Sequence, residues 1–121
     1  MAEINLFKHS KDAVTVAAGS TLFAEGDPGD VMYAIVEGEV ELVRGTEVLE
    51  VAGPGAIVGE MALLDDSPRS AGARARTDAR VVAVDSRNFM FLVQEHPTFA
   101  LQVMKVMAER LRRTNDRIAH S

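Results

Sequence analysis

The chain has 121 residues, 47% of them hydrophobic and 26% charged, which suits one domain with a real core and is too apolar for a disordered segment. A net charge of −5 argues against nucleic acid as a partner, because phosphate attraction needs a cationic surface. The absence of cysteine excludes a disulfide framework and a cysteine metal site. With no signal peptide and no run of roughly 18 apolar residues, a cytoplasmic protein with no membrane partner is expected.

From Val14 to about Asp85 the sequence is a series of short apolar or alternating stretches. Val14 to Val16 ends at Gly19, and Thr21 to Ala24 runs into the turn Glu25-Gly26-Asp27-Pro28-Gly29-Asp30. Val31 to Val36, Glu39 to Val43 and Val48 to Val51 follow, joined at Glu37-Gly38 and Arg44-Gly45. Gly38 and Gly45 are expected to supply the positive φ that tight hairpins need. Gly53-Pro54-Gly55 leads into Ala56 to Val58, and Ala71 to Arg76 and Val81 to Val84 close the series. Such spacing indicates antiparallel strands in a sandwich or barrel.

At Ser86 the period changes to a helical one. Phe89, Met90, Leu92 and Val93 recur at helical spacing before Pro97. From Thr98 onward Leu101, Met104, Met107, Leu111 and Ile118 form one apolar stripe with Val103 and Val106 beside it, expected to serve as core or dimer seam. The fold class is therefore mainly β with C-terminal helices. Residues 1–121 read as one domain, with the barrel over about 13–85 and the helices over about 86–118.

The segment Val58 to Ala73, VGEMALLDDSPRSAGA, fits neither pattern. Gly59 lets the backbone approach a ligand closely. Glu60 to Leu64 makes about one turn of helix, whose first N–H groups suit an anion. Pro68 stops it, and Arg69 then starts a strand among the small residues Ser70, Ala71, Gly72 and Ala73. One anion meeting the helix start and the guanidinium, with Glu60 taking a hydroxyl, describes a sugar phosphate. On spacing alone, an ion pair between Glu60 and Arg69 on the barrel edge explains the same residues.

Gly59-Glu60-Met61-Ala62-Leu63, the insert Leu64 to Pro68, and Arg69-Ser70-Ala71 resemble the phosphate-binding cassette of the cyclic nucleotide-binding domain family. Gly19 to Asp27 and Met32 to Gly38 resemble the family's first strands, and the likeness runs from about Phe7 to Ile118. It implies an antiparallel β jelly roll with a short phosphate-binding helix, followed by two α-helices. By the same resemblance Glu60 accepts from the ribose 2′-hydroxyl and Arg69 pairs with the cyclic phosphate. Gly59, Met61, Ala62, Ser70 and Ala71 complete that site.

Arg-Ser-Ala at 69–71 is similar to the catabolite-activator type of the family, which implies cAMP ahead of cGMP. Arg110 to Asn115 is similar to that type's late helix, which implies Thr114 and Asn115 at the base. On this reading the chain is a stand-alone ligand sensor that shifts its C-terminal helices on binding. A homodimer through the last helix and an unidentified protein effector are its expected partners. A jelly-roll interaction module with a degenerate pocket and a regulatory piece of a larger kinase, channel or transcription factor are the other readings.

Other constellations point elsewhere less well. His9, His96 and His120 are scattered, so no metal is expected, and no cofactor beyond the nucleotide ligand. No histidine sits near a plausible nucleophile, so no enzyme activity is expected. Arg110, Arg112, Arg113 and Arg117 read as a solvated helix face.

Overall fold

A computed structural model describes residues 4–65 and 67–120, with side chains of the last helix described as far as residue 113. Eight strands precede two helices. They are β1 (Val14–Val16), β2 (Thr21–Phe23), β3 (Val31–Glu37), β4 (Val40–Arg44), β5 (Glu47–Ala52), β6 (Ile57–Val58), β7 (Gly72–Ala75) and β8 (Ala79–Asp85). A 3₁₀ turn spans Glu60–Leu63, and the helices are α1 (Ser86–Glu95) and α2 (Pro97–His120). All strand pairs are antiparallel, in two sheets ordered β1-β8-β3-β6 and β2-β7-β4-β5. The expected mainly β jelly roll with C-terminal helices is the fold observed.

Strand β3 shows why the sequence layers this way. Its VMYAIVE run is apolar on both faces, as a strand covered on both sides requires. Met32 and Ala34 point into a cluster with Val82, Val84, Phe99, Val103 and Val106, which seats the helices on the first sheet. Ile35 joins Phe23, Val40, Val58, Ala73 and Val81 in a second cluster. The turn at Gly38 has φ +81°, and a Cβ there would stand 2.2 Å from the Asp78 carbonyl, so only glycine fits. Asp85 caps α1 by accepting from the Asn88 N–H at 2.8 Å.

The packing of α2 and of the N-terminus is decided by the barrel. The stripe expected to serve as core or dimer seam divides: Leu101 56%, Met104 54% and Leu111 62% are exposed, Met107 packs against the core, and the Ile118 side chain lies outside the described residues. The flanking residues Val103 and Val106, with Phe99, are the buried ones. The choice between two adjacent apolar stripes is set by where the barrel lies, which helical periodicity alone does not encode. Ile4 and Phe7, before the first strand, are buried too: the Ile4 N–H donates to the Gly55 carbonyl at 2.6 Å, and Phe7 meets Phe99 edge-on at 5.8 Å.

Phe99 joins the N-terminal segment, α1 (through Phe89 at 5.5 Å) and the barrel. Phe99→Ala is expected to cost about 3–5 kcal/mol, lowering the Tm by about 10–20 °C in a circular-dichroism melt. A loss under about 1 kcal/mol would show that α2 does not depend on this contact.

Candidate functional site

The quoted segment folds around Gly59. This residue sits at φ +76°, ψ +17°, a left-handed conformation that ends β6 and starts the 3₁₀ turn. Its carbonyl accepts from the Ala62 N–H at 3.2 Å and from Arg69 Nη1 at 3.1 Å. Glu60 follows at once and is only 4% exposed; Arg69 is 8% exposed. The cassette therefore brings two buried, opposite charges to either side of one glycine.

They do not neutralise each other. Glu60 pairs instead with Arg110 of α2, through Nη1 and Oε1. Arg69 donates to two backbone carbonyls, Gly59 at 3.1 Å and Val31 at 2.7 Å, and its guanidinium carbon lies 4.1 Å over the Phe23 ring. Its Nε–H is buried and donates to no acceptor among the described residues, where Arg69 also has no carboxylate partner. A guanidinium offers five N–H donors, so most of its capacity remains for an anion. The reading of Glu60 and Arg69 as a mutual ion pair is thereby set aside.

The arginine is held by its backbone as well. Arg69 lies before β7 rather than in it, because the strand begins at Gly72. Its N–H donates to the Asp27 carbonyl and its carbonyl accepts from the Gly26 N–H, both at 2.8 Å. The acidic stretch at residues 25–30 is the turn that was expected, and its edge clamps the arginine. Gly29 has a further role that its turn chemistry did not signal. A Cβ at Gly29 would fall 2.1 Å from Arg69 Nε, and one at Gly59 would fall 2.6 Å from Nη1. Two glycines thus wall the socket of the guanidinium.

The other cassette residues surround this pair. Met61 is exposed on the turn, Ala62 is half-buried, and Ala71 is half-buried before Gly72. Ser70 is exposed, and its carbonyl accepts from Arg44 Nε at 3.2 Å. The side chains of Thr114 and Asn115 lie outside the described residues. The expected sugar phosphate would lie against Glu60 and Arg69. Two cavities are defined near the cassette, and neither is lined by those two side chains. One, of about 10 Å³, lies against Glu50, Ile57, Val106 and Arg110. The other, of about 330 Å³, is an open groove along Thr21, Phe23, Val43 and Gly72. On Glu60's side, Arg110 Nη1 stands against Glu60 Oε1.

Arg110 was read as solvated and is not. Its side chain is 18% exposed, and it donates to Glu50 through Nε at 3.1 Å and Nη2 at 2.9 Å. Nη2 also reaches the Ile57 carbonyl at 2.7 Å, while Arg113 Nη1 meets Glu50 Oε1 at 3.0 Å. Burial pushes Glu50 upward, but hydrogen bonding and attraction from Arg110 and then Arg113 outweigh it and hold the carboxyl below its ordinary value. Burial likewise opposes charge on Arg110, yet Glu50 and Glu60 together raise it above the usual arginine value. The signal was in the sequence: 99, 103, 106 and 110 share one helical face, so Arg110 is in register with the core.

Residues 13–96 match the family model described as "Cyclic nucleotide-binding domain". A curated relative from Mycobacterium tuberculosis, a CRP-like cAMP-activated global transcriptional regulator, is 38% identical over 106 residues, covering 84% of this chain and 47% of its own. The crystal structure of Thermus thermophilus catabolite activator protein superposes with a TM-score of 0.78 at 32% identity, covering 88% of this chain and 52% of that one. The cAMP-bound and cGMP-bound forms of the EAL enzyme Bd1971 each superpose with a TM-score of 0.63, at 35% and 34% identity. They cover 88% and 86% of this chain, and 30% and 29% of theirs. The chain thus spans about half the length, or less, of these relatives. The glycine-walled arginine, the buried glutamate before it and the matched residues agree: this chain belongs to the cyclic nucleotide-binding domain family.

Proposed function

We propose that this chain binds a 3′,5′-cyclic nucleotide, with cAMP preferred, and passes occupancy to α2 as a regulatory signal rather than catalysing a reaction. The observation that carries this reading is the buried Arg69 guanidinium, which has two carbonyls for partners and an unpaired Nε–H. A buried cation without a carboxylate is costly, and a phosphodiester supplies the missing charge with matching fork geometry. Gly59, Met61, Ala62, Ser70 and Ala71 surround that anion, and Glu60 accepts from the ribose 2′-hydroxyl. Thr114 and Asn115, farther along α2, meet the base.

The preference for cAMP rests on Ser70 after the arginine and on the M. tuberculosis relative, whose name states activation by cAMP. The Bd1971 structures, with either nucleotide bound, make cGMP the alternative. Occupancy reaches α2 because Glu60 is tied to Arg110 on that helix. The transcriptional regulator is about twice the length of the aligned region, so the likeness covers its ligand-binding half and carries no output, nucleic acid included, over to this chain.

The exposed residues Leu101, Met104 and Leu111 are spaced by three and seven, a narrow seam suited to a second copy of α2. The homodimer proposed here is expected in sedimentation of the wild type at micromolar concentration, with Met104→Glu shifting it to monomer. A monomeric wild type would remove the dimer from the account.

Calorimetric titration with cAMP and cGMP tests the binding reading. Wild type is expected to bind cAMP more tightly than cGMP, and Arg69→Ala to weaken binding by about 2–5 kcal/mol with an unchanged circular-dichroism spectrum. Glu60→Gln is expected to cost about 1–3 kcal/mol. Failure of wild type to bind either nucleotide at millimolar concentration would refute the proposal. Gly29→Ala is expected to displace the guanidinium and weaken binding by about tenfold or more, measured in the same titration; an unchanged affinity would show that the socket is not needed.

A further inference from the structure

Glu50 is a largely covered carboxylate that the cassette pattern leaves without a role. It lies on β5, ten residues before Glu60, with its side chain 10% exposed. It grips Arg110 by both oxygens and shares Oε1 with Arg113. Arg110 in turn engages Oε1 of Glu60 and the Ile57 carbonyl. A β-strand, the cassette and α2 are therefore joined through one guanidinium, and Glu50 supplies two of the hydrogen bonds that aim it.

The consequence concerns the geometry of Glu60. Among the described residues Arg110 meets Glu60 through Oε1, which leaves Oε2 as the acceptor for a ligand hydroxyl. A carboxylate held at one oxygen by a fixed guanidinium presents the other in one orientation. A carboxylate whose partner is loose must spend entropy to do the same. Glu50 never needs to touch the ligand to matter.

Building on the binding function above, we infer that Glu50 is a positioning residue for the ribose subsite: it fixes Arg110, Arg110 fixes Glu60, and the contact with the 2′-hydroxyl depends on all three. The lowered pKa of Glu50 agrees, since the carboxylate form is the one the two arginines hold.

The test is a cycle between protein and ligand in the full chain. Wild type and Glu50→Gln are titrated with cAMP and with 2′-deoxy-cAMP. Glu50→Gln is expected to weaken cAMP binding by about 3- to 10-fold while leaving 2′-deoxy-cAMP affinity within about twofold. Arg110→Gln, a second variant in case Glu50→Gln folds poorly, is expected to show the same selectivity. Equal loss on both ligands means that Glu50 only supports the fold, and no loss on either means that it does not act on Glu60; each result overturns the inference. A wild type that binds neither cyclic nucleotide would instead refute the binding function itself.

Discussion

Burying a guanidinium in a protein costs several kcal/mol unless charge and hydrogen bonds are returned to it. This small fold buries two, in opposite ways. Arg110 is answered by Glu50, Glu60 and a carbonyl, so its charge is neutralised within the protein. Arg69 is given an aromatic face and two carbonyl oxygens but, among the described residues, no carboxylate. The first arrangement holds the structure together. The second leaves a charge that the proposed phosphodiester would complete, and the surrounding cassette holds it in place.

Keeping it there takes backbone geometry more than side chains. A left-handed Gly59 turns the chain so that its carbonyl faces Arg69 and its successor, Glu60, enters the interior. Gly29 lacks the Cβ that would occupy the space of Nε, and the turn carrying it pins the arginine's own N–H and C=O. Phe23 then floors the socket and is itself stacked on Tyr33, with centroids 6.0 Å apart. Each of these positions lies on a different strand or turn, so the site is a product of the whole roll. The link from Glu60 to α2 makes the helix part of the same charge system.

Much of this was legible in the amino-acid order. Strand positions, the hairpin glycines and the start of the helices follow from alternation and turn residues, because those signals are local. Gly59, Glu60 and Arg69 were marked by residue type and spacing together. What stayed hidden depends on distance in the sequence. Glu50 is an unremarked acid in a strand until Arg110, sixty residues later, folds onto it. Gly29 reads as a turn glycine until the Arg69 side chain arrives beside it. Whether the stripe of α2 is core or seam stayed open because the residues beside it are apolar too, and only the position of the barrel separates them.

The central claim is that a nucleotide's phosphodiester is received by the Arg69 side chain. Nitrogen-15 NMR of the arginine Nε–H groups during cAMP titration observes that group directly. The resonance of Arg69, assigned by its loss in Arg69→Lys, is expected to move strongly and saturate with the binding isotherm. Saturable binding of cAMP with that resonance unmoved would place the phosphate elsewhere and contradict the account.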